Sequence, residues 1–100
     1  MYLQIPLRPL PSQELSIVLN NQNCAISVYT RGSHLYFDLV KDNKNVTTGI
    51  ICLNQNKLVP YKYMGFEGQL FFIDSQGTND PTFDGLGTRF ILLYDDGMAS

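Results

Sequence analysis

His34-Leu35-Tyr36-Phe37-Asp38-Leu39-Val40 decides how the rest of the chain is read. Successive side chains of an extended chain point to opposite faces, so Leu35, Phe37 and Leu39 face one way while His34, Tyr36, Asp38 and Val40 face the other. One face is core and the other is mostly wet, the pattern of a strand that covers an interior on one side only.

The pattern continues on both sides of this strand. Arg31-Gly32-Ser33 closes a preceding strand, Cys24 to Thr30, with Cys24, Ile26 and Val28 on one face and Ala25, Ser27 and Tyr29 on the other. Earlier still, Leu15, Ile17 and Leu19 alternate with Ser16 and Val18, and the polar cluster Asn20-Asn21-Gln22 suits a tight reversal into that strand. Downstream, Asp42-Asn43-Lys44-Asn45 is a second turn cluster, followed by a segment rich in β-branched residues from Val46 to Leu53. Gly49 within it predicts a bulge or a close backbone approach.

Asn54-Gln55-Asn56-Lys57 opens a less regular connection through Leu58 to Gly65, where one short helical turn is the only helical possibility. Gln69 to Asp74 and Thr88 to Tyr94 complete the strands, separated by a loop from Gly77 to Gly87. Six or seven short strands with regular turn signals predict an all-β fold, a small antiparallel sandwich or barrel.

At 100 residues the chain makes one domain with one modest core. Residues 1–12, with three of the five prolines at Pro6, Pro9 and Pro11, read as an extended arm or edge strand; residues 13–95 form the β domain and 96–100 a disordered tail. Tyr2, Leu3 and Ile5 give the arm apolar contacts, to its own sheet or to a neighbour.

Charged residues make up 16% of the chain, below the roughly 25% usual in soluble domains. The net charge of −2, with the seven basic residues scattered singly, argues against a nucleic-acid footprint, which needs clustered Lys and Arg. No apolar run approaches the ~20 residues that span a bilayer, so no membrane insertion is expected. The start of the chain lacks a secretory signal pattern, which places the protein in the compartment where it is made. Cys24 and Cys52 lie in apolar segments and read as buried free thiols, and the acceptor pattern Asn45-Val46-Thr47 is a chance match.

Catalytic patterns are weak. His34 is the only histidine, and an adjacent Ser33 does not by itself make a nucleophile and base. His34 with both cysteines supplies three soft ligands where a closed zinc site takes four. Asp74, Asp80, Asp84, Asp95 and Asp96 miss the spacing of a calcium loop, and Asx turns account for them more simply. Gly85-Leu86-Gly87 precedes a strand instead of a helix and so lacks the phosphate-binding context. The expectation is no enzyme, no cofactor and no metal.

The stretch Asp80-Pro81-Thr82-Phe83-Asp84-Gly85-Leu86-Gly87 combines a proline-fixed backbone with two flexible glycines and two apolar residues. Phe83 and Leu86 in such a loop either tuck back onto the core or anchor a partner.

Taken together, Ile5-Pro6-Leu7, the Leu35 to Leu39 strand, Tyr63-Met64-Gly65, Leu70-Phe71-Phe72-Ile73-Asp74 and Pro81 to Gly87 resemble a known family, the small plug protein of contractile-tailed phage baseplates, described for cyanophage. The resemblance runs from about Ile5 to Tyr94. It implies a structural virion protein near the tail axis, assembled in the host cytoplasm. It also implies contacts to tube, hub or wedge proteins in a symmetric multi-copy assembly. The candidate interface is Tyr2, Ile5, Pro6, Pro81, Phe83, Leu86 and Arg89. The alternative reading is a small β-sandwich binding module, for example for carbohydrate, with tyrosines such as Tyr61 as stacking platforms.

Overall fold

The computed structural model of the protein describes residues 2–19, 21–59 and 68–95. Its strands are β1 (Tyr2–Ile5), β2 (Ser12–Leu19), β3 (Gln22–Arg31), β4 (His34–Lys41), β5 (Lys44–Ile51), β6 (Gln69–Asp74) and β7 (Phe90–Asp95). They form two antiparallel sheets, a three-stranded one in the order β1-β7-β6 and a four-stranded one in the order β2-β3-β4-β5. The fold is an all-β sandwich.

Local chemistry explains the four-stranded sheet. Gly32 opens the β3–β4 turn at φ 62°, where a two-residue reversal wants a residue without a Cβ. Asp42 and Asn43 both adopt positive φ in the β4–β5 turn, the left-handed pair that Asn and Asp tolerate best. Between these turns β3 and β4 pair in unbroken register from Cys24↔Lys41 to Arg31↔His34. Cys24, Ile26, Val28, Leu35, Phe37 and Leu39 are all buried on the inner face, as their alternation predicts.

The bulge expected at Gly49 is present. Phe37 pairs with Ile50 and Leu39 with Thr47, so Thr48 and Gly49 together oppose Asp38. Gly49 sits at φ 68°, and its N–H donates to Asp38 Oδ1 at 2.7 Å, an oxygen that also accepts the Tyr29 hydroxyl at 2.9 Å. A second irregularity follows at Val46, and both Val46 and Thr47 turn inward.

The three-stranded sheet closes the sandwich. β7 lies between β1 and β6, with Ile5 opposite Leu92 and Phe72 opposite Leu92 on its other side. Ile5, Leu70, Phe72, Leu92 and Tyr94 meet the inner face of the four-stranded sheet in one continuous core. Burying side chains of this size stabilises the fold by roughly 1.5–3 kcal/mol each before ordering costs. The Gln22 side chain joins the sheets at their rim, its Nε2 donating to Leu19 O at 3.0 Å and reaching Tyr94 Oη at 3.5 Å.

The arm expected over residues 1–12 is extended but belongs to the sandwich: β1 pairs along β7 and Ile5 is core. The connection after β5 is more regular than its sequence suggests. Gln55 N donates to Phe72 O at 2.7 Å and Leu58 N to Leu70 O at 2.9 Å, so this segment runs alongside β6. The Gln69 side chain clamps it further, accepting from Val59 N at 2.8 Å and donating to Val59 O at 2.7 Å. Most of the short helical turn expected between Leu58 and Gly65, and the 96–100 tail, lie outside the described residues.

Candidate docking surface

The loop from Ser75 to Arg89 crosses one end of the sandwich, and Asp74 holds its shape. Gln76 N donates to Asp74 Oδ1 and Asn79 N to Asp74 Oδ2, each at 2.9 Å, the first an Asx-type turn. Arg89 closes the far end: Nε donates to Oδ1 and Nη2 to Oδ2, both at 2.8 Å. Such a bidentate, charge-assisted pair fixes orientation as well as distance. The guanidinium is the main reason that the Asp74 carboxyl lies well below the usual carboxylate range, helped by the two backbone donors. Arg89 also stacks over Phe90, 5.0 Å from the ring centroid.

Within the frame, Phe83–Gly85 makes one 3-10 turn. Asp84 accepts a hydrogen bond from the Thr82 hydroxyl, and Asp80 Oδ1 accepts Asn54 N at 3.0 Å, tying the loop to the segment beside β6. Of the aspartates that raised a calcium reading, Asp74, Asp80 and Asp84 are thus engaged in loop bonds, Asp95 ends β7, and Asp96 lies outside the described residues. Gly87 adopts φ 82° with its backbone against Leu7, where a Cβ would collide with the Leu7 carbonyl oxygen.

Six of the seven candidate interface residues can be sorted by exposure. Leu86 is fully buried, and Ile5 and Pro81 are buried too, so these three belong to the domain's own packing and present no free surface in this conformation. Of the two options for the loop's apolar pair, Leu86 turns inward while Phe83 stays 38% exposed. Pro6 is exposed beside β1, and Arg89 is half-buried by its partnership with Asp74. Tyr2 takes its place in β1 opposite Asp95.

Phe83 stands over the β3–β4 turn. With Thr82, Thr30, Gly32, Ser33 and His34 it lines an open groove of about 180 Å³. Thr30 Oγ1 is buried and has no hydrogen-bond partner among the described residues. Sequence reasoning singled out Phe83 and missed the hairpin tip opposite it, because only the fold brings residues 30–34 beside 82–84.

His34 and Ser33 are both exposed here, with Oγ 3.2 Å from Nδ1. Among the described residues no group of three His, Cys, Asp or Glu side chains gathers as metal ligands. Cys24 and Cys52 are buried and unpaired, and burial pushes the Cys52 thiol up to about 12. Tyr61, the platform of the carbohydrate reading, lies outside the described residues.

The described end of the β-sandwich thus carries a braced loop and an exposed aromatic, Phe83. The chain belongs to the family described as the cyanophage baseplate Pam3 plug gp18, whose model matches residues 2–97. Its role is accordingly that of a structural component of the phage tail baseplate. A search of the curated proteins finds no match.

Proposed function

We propose that this protein acts as a plug near the axis of a contractile tail, docking onto tube, hub or wedge proteins through the end of the sandwich that carries Phe83. The carrying observation is the exposure of Phe83 on a loop clamped at both ends by Asp74. A large aromatic held in place loses little conformational freedom on binding, which is what makes such side chains effective anchors. The groove beside Phe83, with Ser33, His34 and Thr82 exposed along it, offers a partner both apolar and polar complementarity.

In this reading the protein works by filling space and bonding its neighbours, without turnover, and is built into the virion from several symmetric copies in the host cytoplasm. Pro6, exposed where the chain leaves β1, lies at the margin of the docking region through the contact of Leu7 with Gly87.

The test is co-expression with the tube, hub and wedge proteins of the same genome, followed by pull-down and native mass spectrometry. A complex of fixed stoichiometry that Phe83→Asp abolishes, while the variant keeps its melting transition, is the expected result. Undiminished capture of the folded variant would move the docking surface elsewhere.

A further inference from the structure

Two sheets have four edges, and three of those here are blunted among the described residues. The outer edge of β6 is covered by the segment that bonds to Phe72 and Leu70. β5 is broken by its register shifts, and β1 is four residues long and runs into Pro6. These are established ways of keeping a sheet edge from pairing. The fourth edge, β2, follows directly on Pro11 but within its own length has none of them. It is eight residues long, contains neither Pro nor Lys, and pairs with β3 without a bulge from Ser12↔Tyr29 to Leu19↔Gln22.

The turn geometry fixes which backbone groups of β2 are free. Leu19 and Gln22 close a two-residue turn and therefore exchange both bonds, so Leu19, Ile17, Leu15 and Gln13 bond to β3. Ser12, Glu14, Ser16 and Val18 direct their N–H and C=O groups outward. Among the described residues no backbone bond outside the sheet reaches any of these four. Val18 is 61% exposed, while Leu15 and Ile17 on the inner face are only partly buried against the core.

We propose that β2 pairs antiparallel with β2 of a second copy, joining the two four-stranded sheets into one continuous sheet. The strand is complementary to itself in one register, with Leu15 opposite Leu15 across a two-fold axis. Glu14 then pairs with Ser16 of the second copy and Ser12 with its Val18, so the outward groups of both strands meet only each other. The same register sets the two partly buried Leu15 side chains against each other on the inner face, with Ile17 of each copy opposite Gln13 and diagonal to Leu15 of the other. Glu14, the strand's one charged residue, meets a hydroxyl instead of its own copy. It is already drawn over its own sheet, where its Oε2 accepts the Ser27 hydroxyl at 3.3 Å.

The test is sedimentation velocity of the isolated chain over a dilution series, with Ser16→Lys and Ser16→Glu beside the wild type. Ser16 is exposed, so both variants leave the fold intact, which circular dichroism checks. The wild type is expected to dimerise. Ser16→Lys, facing Glu14 of the second copy twice over, is expected to tighten the dimer by about fivefold, and Ser16→Glu to weaken it by a similar factor. A wild type that stays at 11.3 kDa throughout overturns the proposal and leaves the edge to a strand of another protein. A dimer that responds equally to both substitutions overturns it as well, because the contact then lies elsewhere.

Discussion

Arg89 grips both carboxylate oxygens of Asp74 at 2.8 Å from fifteen residues further along the chain, so one ion pair sets the span of the whole loop between β6 and β7. Asp74 ends β6 and Arg89 immediately precedes β7, and the two strands are themselves paired, with Asp74 opposite Phe90. The loop is therefore anchored to adjacent strands by backbone bonds and fastened by a side-chain lock.

That lock makes stability sensitive to acid. The Asp74 carboxyl titrates below its unfolded-state value of about 3.9, so its contribution is fully present above that pH and is lost as pH falls toward the folded value. Asp74→Asn is expected to lower the melting temperature at neutral pH and to flatten its fall between about pH 5 and pH 2. Thermal melts of both proteins across that range decide the matter; parallel acid profiles would show that other carboxylates dominate.

The two apolar residues of the loop should answer differently to truncation. Leu86 is fully buried, so Leu86→Ala is expected to cost about 2–5 kcal/mol. Phe83 is 38% exposed, and Phe83→Ala is expected to cost about 0.5 kcal/mol or less. Urea titrations measure both. Equal costs would mean that Phe83 packs as core and is not free to dock.

The thiols should be inert in the native protein. Burial raises the Cys24 and Cys52 thiols above their ordinary range, which removes the reactive thiolate as well as access to it. Maleimide labelling followed by mass spectrometry is expected to modify neither cysteine in buffer and both in denaturant. Because the unfolded thiols ionise first, stability contributed by keeping them neutral falls as pH rises above about 8.5. Rapid native labelling of Cys52 would contradict its placement.

Gly49 tests the bulge without disturbing packing. A Cβ there would meet open space, so Gly49→Ala carries only the backbone cost of φ 68°, about 1–2 kcal/mol. Gly49→Asn, which tolerates that conformation, is expected to cost clearly less. Denaturation midpoints of the two variants measure the difference, and equal losses would place the strain elsewhere.

Much of the architecture could be read from periodicity. The alternation of Leu35, Phe37 and Leu39, and the polar or glycine reversals on either side, reported β3 and β4 because strand and turn are decided within a few residues. What eluded the sequence depends on distant partners. Nothing near Tyr2–Ile5 says that it will lie beside β7, nor does the irregular run after Asn54 announce that it will track β6. The shift at Val46 carried no local signal of its own: unlike the bulge at Gly49, it falls in a run with no glycine to mark it.

The candidate surface was only half legible. Proline and glycine marked the loop, but they could not separate Leu86 from Phe83, since that choice is made by the space above Leu7, Phe90 and the core. The Asp74 and Arg89 pairing was hidden as well, because single scattered charges carry no sign of which partner they will find.

The antiparallel pairing of β1 with β7, Tyr2 opposite Asp95, has a mechanical consequence. The chain enters and leaves the sandwich side by side, so a pull applied through its flanking segments would load the bonds between these strands one after another and peel β1 away like a zipper. A body of this design is therefore weak against tension through its ends, where the bonds yield in sequence and not together.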